Sequence, residues 1–224
     1  MIPLNKQSLR KLSELRSLLE GFAARSAASN TSGNSKLVED LKILLTRLST
    51  AVRANDYTGF RDADFSLHES IVQLADVPFL HEAWLAAWKG LSDFHHRTFD
   101  DCFPDARFLI EEHEYLVETI LLGDPNAAED AAQNHIEAVW LRLSEKEGLA
   151  TNRTGRDFDP LQSACAHVAF QLNRPLRLEE VARNVSFVSP GHLSRLFRQQ
   201  YGESFQTYLQ NMRLVKAAEL LRET

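Results

Sequence analysis

Apolar residues recur at intervals of three and four along most of the chain, and no segment sustains the alternation of a half-buried strand. That periodicity confines the chain to helix-on-helix packing. Leu9, Leu12, Leu15, Leu19 and Phe22 mark one helix, and Leu37, Leu41, Leu44, Leu48 and Val52 a second. A third is predicted from about Tyr57 to Ala75, ended by Asp76-Val77-Pro78, and a fourth over roughly Phe79–Phe99. Pro104 opens a fifth that ends at Gly123. Asp124-Pro125 then has the N-cap and first-position chemistry of a sixth, running to about Glu147. Six amphipathic helices over about 150 residues can bury one good core. The expected fold class is all-α: an antiparallel helical bundle followed by a small helix-turn-helix unit.

Composition narrows the setting. No apolar run reaches the ~18 residues that a membrane helix needs, and Met1 to Arg10 carries no apolar signal segment. Cys102 and Cys165 stand far apart, without the spacing of a disulfide scaffold or a cysteine zinc module. A cytoplasmic, reducing location with no membrane partner is expected.

The polar stretch 149–160 holds Gly155 and Pro160 and lacks periodicity, so it reads as a linker between a bundle at 1–148 and a second domain at 161–224. Charge divides at the same place. From Pro160 onward eight Lys/Arg stand against five acids, a net of +3, which leaves −9 for the rest of a chain whose total is −6. An acidic body with a basic end suits two jobs, the basic end meeting an anion.

In the bundle, Asp64 and His68 are four apart and share a helix face. His113 and His135 are equidistant from the Gly123-Asp124-Pro125 turn, so an antiparallel hairpin brings them level. His113 precedes Leu116, Val117 and Ile120 at helical spacing, near the buried stripe. A carboxylate and three imidazoles converging inside a bundle suit Zn, Ni, Fe or Mn. Spacing alone leaves ordinary core or surface histidines as the alternative. Arg16 can meet a carboxylate through its planar fork, and His95, His96 and Arg97 crowd a helix that can face the same cavity. Trp84, Trp88 and Trp140 read as core.

These residues resemble a known family. Leu15-Arg16-Ser-Leu-Leu-Glu20-Gly-Phe-Ala-Ala-Arg25, Asp64-Phe65-Ser-Leu-His68 and Glu112-His113-Glu-Tyr-Leu-Val-Glu-Thr-Ile120 are similar to elements of the FadR C-terminal (FCD) domain, the helical effector domain of GntR-type regulators. His135 falls where that domain has its last histidine. The resemblance covers about Leu9–Leu143. It implies that Asp64, His68, His113 and His135 hold one divalent metal, and that a small organic-acid effector completes its coordination. The chain departs from the family at Asp76-Val77-Pro78, where Asn-Pro is common, and only Met1–Ser8 stand where a winged helix-turn-helix is usual.

After Pro160, Leu161–Leu172 reads as one helix and Leu178–Val185 as a short second one. Ser189-Pro190 caps a third, which runs to Tyr201 and is closed by Gly202. Leu193, Leu196 and Phe197 pack inward, leaving Gly191, Ser194, Arg195 and Arg198 outside. That is the helix-turn-helix arrangement, whose second helix fits the major groove. Leu178-Glu-Glu-Val-Ala, Ser189-Pro-Gly-His192-Leu-Ser-Arg-Leu-Phe197, Tyr201-Gly-Glu-Ser-Phe205 and Arg213-Leu-Val-Lys-Ala-Ala-Glu-Leu-Leu221 closely resemble the first helix-turn-helix of the AraC family. The resemblance implies DNA contact around Ser189, Gly191, His192, Ser194, Arg195 and Arg198. Gly191 stands where that family has a larger side chain, and Arg177 where Thr or Ser is commoner. AraC units carry a second helix-turn-helix beyond the helix that ends at Thr224, so either that half is missing or each subunit reads DNA with one.

Together these readings describe a homodimeric, non-enzymatic transcription regulator that binds operator DNA, a divalent metal and a small carboxylate effector. Two rivals remain at this stage: a metal-dependent enzyme using the three-His, one-Asp site, and a helical dimerisation module with a non-binding tail.

Overall fold

The computed structural model describes residues 6–31, 35–96, 107–146, 159–172 and 174–222, and every regular element among them is helical. The chain divides into two compact units, Met1–Thr151 and Asn152–Thr224.

The first unit contains α1 (Lys6–Asn30), α2 (Ser35–Arg53), α3 (Tyr57–Leu74), α4 (Leu80–His96), α5 (Arg107–Leu121) and α6 (Pro125–Lys146). Local chemistry sets the boundaries. The Asp56 carboxylate accepts the Gly59 N–H at 2.9 Å and starts α3. Asn55 and Asp76 take the left-handed conformation that their short polar side chains tolerate, at either end of α3. Gly123, with φ of 68°, ends α5, and the Asp124 carboxylate accepts from the N–H groups of Asn126 and Ala127 ahead of α6. The expected opening of the fifth helix at Pro104 lies outside the described residues.

α1 is the central post, packed against α3, α4, α5 and α6, while α2 lies against α3 and α5. Its buried side is rich in small residues: Ala23, Ala24, Ala27 and Ala28 are all buried. A side chain at Gly21 would collide with Gln133, which also marks a close approach of α1 and α6. The core continues through Leu41, Leu48, Leu67, Trp84, Leu116 and Ile120.

One pattern differs from the sequence reading. Leu15 and Phe22 belong to the leucine stripe of α1, yet they are exposed, and Ser13, Arg16 and Glu20 are buried instead. The buried positions of α1 are taken by small residues and by the Arg16–Glu20 ion pair. The larger residues are displaced outward.

The second unit contains α7 (Pro160–Phe170), α8 (Leu178–Asn184), α9 (Pro190–Tyr201) and α10 (Phe205–Arg222). Ala164, Val168, Val181, Ala182, Leu193, Phe197, Phe205 and Leu209 form its core, with Phe197 and Phe205 edge-to-face at 5.4 Å. Asp159 caps α7 through the N–H groups of Leu161 and Gln162, and Ser189 caps α9 through that of His192. Gly202, at φ of 72°, closes α9. Arg177 precedes α8 with no side-chain cap bond, so that helix start lacks the usual acceptor.

Candidate functional site

α3 supplies Asp64 and His68 from one face, and the α5–α6 hairpin supplies His113 and His135 from facing sides. One donor atom from each of these four residues lies within 4.8 Å of the other three. The His113 and His135 rings are 4.3 Å apart, and the His68 ring stacks beside His135 at 5.3 Å. Donor atoms of a small metal site stand about 3–4 Å apart, given bond lengths near ~2.1 Å. A contraction of the widest pair by about 1–2 Å would close this set.

Each imidazole is oriented by a partner on its other nitrogen. His113 Nδ1 donates to the Leu109 carbonyl at 2.7 Å, and His135 Nδ1 lies 3.2 Å from a Glu112 carboxylate oxygen. His68 Nδ1 lies 2.7 Å from Glu20 Oε2. In all three, Nε2 is therefore the nitrogen left for the centre. His113 Nε2 is 2.9 Å from Asp64 Oδ1. His68 Nε2 is buried without a hydrogen-bond partner, 3.7 Å from the same oxygen. An orphaned buried nitrogen is costly unless something outside the polypeptide engages it. The donor set and this orphaned nitrogen fit a divalent cation.

The electrostatics agree. Burial works against the charge on Asp64, but the hydrogen bond from His113 and the positive charges of His68 and Arg16 hold its carboxyl well below the usual range. Burial and the neighbouring His113 press His135 down to about 4, so it is a neutral ligand near pH 7. Burial also opposes protonation of His113, yet the bond to Asp64 outweighs it and raises that group. Metal capture would displace the proton held between His113 and Asp64.

Arg16 enters this centre from α1. It is buried, pairs through Nε with Glu20, and lies over the Trp88 ring with Cζ 4.2 Å from the centroid. Glu20 also accepts from Trp84 Nε1 at 2.8 Å. Burial disfavours its charge, but Arg16 and His68 hold the carboxyl well below its ordinary value. The sequence reading singles out Arg16 and misses the structural part played by Glu20. The signal is present in the sequence: a polar pair four apart on the alanine-rich face of a central helix. His95 and His96 sit on the last turn of α4; their side chains, and Arg97 altogether, lie outside the described residues.

Residues 11–138, more than half of the chain, match the profile of the FCD domain. The chain belongs to the FCD domain family. Its FCD domain carries the whole four-residue cluster and Arg16. Residues 171–210 match the profile of bacterial regulatory helix-turn-helix proteins of the AraC family. Two curated relatives are each 29% identical over 135 residues, covering 60% of this chain and 57% of their own length. One is a probable D-xylose utilization operon transcriptional repressor of Paenarthrobacter nicotinovorans, the other the galactonate operon transcriptional repressor of Escherichia coli K12. A third, an uncharacterized HTH-type transcriptional regulator (YfiF) of Bacillus subtilis, is 43% identical over 58 residues, or 26% of this chain and 18% of its own. The chain thus spans little more than half the length of the first two and under a fifth of the third.

Outside the FCD domain, α8 and α9 form the helix-turn-helix. Its second helix exposes Gly191, His192, Arg195 and Arg198, with Ser189 exposed at the cap and Ser194 half-buried. A Cβ built on Gly191 meets nothing within 4 Å. Arg213, a cation on α10, is engaged within its own unit. Its guanidinium donates to the carbonyls of Leu172 at 2.8 Å and Arg174 at 2.6 Å, fastening α10 to the chain after α7.

Proposed function

We propose that this chain is a DNA-binding transcription regulator in which the FCD domain binds a divalent metal and a small carboxylate effector that together tune operator binding. The observation that carries the reading is the partnerless, buried Nε2 of His68 among the donors of Asp64, His113 and His135, beside a buried arginine. Asp64, His68, His113 and His135 would hold the cation, and Zn, Ni, Mn and Fe all suit these N and O donors. When bound, the cation would supply positive charge and open coordination positions for an oxygen ligand. Arg16 fits the charge of an organic acid, and it already shares Glu20 with His68, so ligand capture and metal geometry meet at one carboxylate. One relative is named for a galactonate operon, which favours hydroxy acids as the effector class.

For the DNA partner, Arg195 and Arg198 project from the exposed face of α9, where a guanidinium can reach a guanine edge or a phosphate. Ser189, Gly191, His192 and Ser194 line the same helix start. The effector must favour one of two arrangements of the chain to change DNA affinity; residues 149–158, most of the stretch read as a linker, lie outside the described residues. The names of the relatives favour a transcription regulator over a metal enzyme.

The test is a DNA titration on selected sequences with the metal-loaded chain, the chelated chain, and a panel of hydroxy and dicarboxylic acids. An effector that shifts DNA affinity only when metal is present supports the reading. Sequence-independent DNA binding that neither metal nor acid alters would reject it, as would acid binding that ignores the chelator.

A further inference from the structure

Among the described residues α6 is the last helix of the first unit, and the chain runs on from it to the helix-turn-helix. It also carries His135. α1 runs antiparallel beside it: Arg25 reaches Asn126 and Glu129, Gly21 lies against Gln133, and Arg10 reaches Glu137. Two arginines of α1 thus grip α6 on either side of His135.

The two grips differ. At the start of α6, Arg25 donates to Asn126 Oδ1 and Glu129 Oε2, both at 2.9 Å, and the tight turn at Gly123 ties the same end to α5. Toward the other end, Arg10 donates to Glu137 Oε2 at 2.8 Å and lies over the Trp140 ring, with Cζ 5.3 Å from the centroid. Its Nε stays on Glu14 of its own helix at 2.9 Å. The Arg10 and Glu137 side chains are only 20% and 19% exposed, so solvent screens this pair less than a surface one.

We propose that Arg10 is a latch on the far end of α6, set against the metal-donor cluster, so that closing the donor set around a divalent cation releases Glu137 and Trp140. The inference rests on the metal reading of Asp64, His68, His113 and His135, and adds what that centre acts upon. Helix geometry opposes the two pulls. Residues step round an α-helix by about 100°, so Trp140 and Glu137 stand about 140° and 200° round α6 from His135. His135 faces α3 and α5, which bear the other three donors. Movement of α6 toward them takes Glu137 and Trp140 away from Arg10.

His135 is also the least tightly held of the three imidazoles. Its Nδ1 contact with Glu112 is 3.2 Å, against 2.7 Å for His113 on the Leu109 carbonyl and 2.7 Å for His68 on Glu20. α6 packs chiefly against α1 and α5, whereas α3 lies among α1, α2 and α4. With its start gripped, α6 swings about its first turn. His135 is about 15 Å from Pro125, Glu137 about 18 Å and Lys146 about 31 Å. An inward step of about 1 Å at His135, within the contraction that the donors need, grows to about 2 Å at Lys146. At Glu137 the same step carries the Arg10 contact beyond hydrogen-bond distance. Glu14 keeps Arg10 paired when the latch opens, so the open form strands no cation.

The test combines zinc affinity, by chelator competition, with hydrogen exchange over residues 139–146 of the full chain. Opening a latch opposes metal capture, so by linkage its removal must tighten the hold on zinc. Arg10→Ala should lower the zinc dissociation constant about tenfold, the worth of an ion pair and a cation–π contact, and Glu137→Gln about threefold. Lys11→Ala, on an exposed neighbour, should leave it unchanged. In the wild type, zinc should slow exchange around His113 yet speed it over 139–146. In Arg10→Ala that end of α6 should exchange fast with or without zinc. Far-UV circular dichroism checks that the variants stay helical, and Glu137→Gln, which keeps the size of the side chain, decides the matter if Arg10→Ala does not. A merely structural role would loosen the bundle and weaken zinc binding in both variants. That result, or unchanged constants, overturns the latch. So does zinc-induced slowing along the whole of α6. A wild type that binds no zinc would overturn the metal reading and the latch with it, whereas failure of the latch alone leaves zinc binding intact.

Discussion

Replacing Glu20 by glutamine changes one oxygen to nitrogen and leaves the volume of α1 untouched, yet it should strip the centre of one ligand. Glu20 accepts from Arg16 Nε and Trp84 Nε1 on Oε1, and its Oε2 faces His68 Nδ1 at 2.7 Å as an ion-pair contact. An amide has one acceptor. If its NH2 faces His68, that imidazole must present Nδ1 as the acceptor, which moves its proton to Nε2, the atom needed for the metal. If the NH2 faces Arg16 and Trp84, two donors meet a donor. Loss of such orienting partners typically costs 10–100-fold in metal affinity, or about 1.4–2.7 kcal/mol. The forced tautomer puts Glu20→Gln near the upper end. The assay is competition with a chromophoric chelator, run well below the unfolding temperature because the buried Arg16 also loses its counter-charge. A Glu20→Gln protein that remains folded and binds metal within about twofold of wild type, far short of the usual loss, would refute the assignment of Glu20 as the holder of His68.

His113→Ala removes a donor and the partner of Asp64, and metal analysis of the purified protein should show the bound ion lost. Arg195→Ala should weaken binding to the preferred DNA by about 1–3 kcal/mol and relax one base pair, whereas Arg198→Ala should lower the salt slope by about one on all sequences. Arg213→Ala should act on stability instead, removing two carbonyl contacts on an exposed side chain for a cost of about 1 kcal/mol in denaturant unfolding, with the salt slope unchanged. Arg177→Ser supplies the missing cap of α8 and should stabilise the second unit by about 1 kcal/mol, read as a higher denaturant midpoint.

The hairpin of α5 and α6 was legible because Gly123, Asp124 and Pro125 each have one strong local role, and the turn then fixes His113 against His135 by counting. The cap of α9 and its inward Leu193 and Phe197 were legible for the same reason. Two features were not. The leucines of α1 advertise a buried stripe, but Ser13, Arg16 and Glu20 are buried while Leu15 and Phe22 are exposed, which apolar periodicity does not encode. Arg213 carries a charge that suits phosphate, and only the fold brings the carbonyls of Leu172 and Arg174 within its reach. The centre shows the same division. The four donors could be listed from spacing, while the partners that aim them, Glu20, Glu112 and the Leu109 carbonyl, come from three different turns of the bundle.

The open space at Gly191 bears on how such a regulator changes its target. At most positions of a reading helix a larger residue has to be accommodated by its neighbours, and a new preference comes with a penalty in folding. Here nothing lies within 4 Å of an added Cβ. Asn, Gln or Arg at this site would project from the first turn of α9 without disturbing Leu193 or Phe197. If α9 reads DNA as proposed, an altered sequence preference is one codon change away at this position. On that reading a drifting promoter could be followed by substitution at this position alone, while the FCD domain is left as it was.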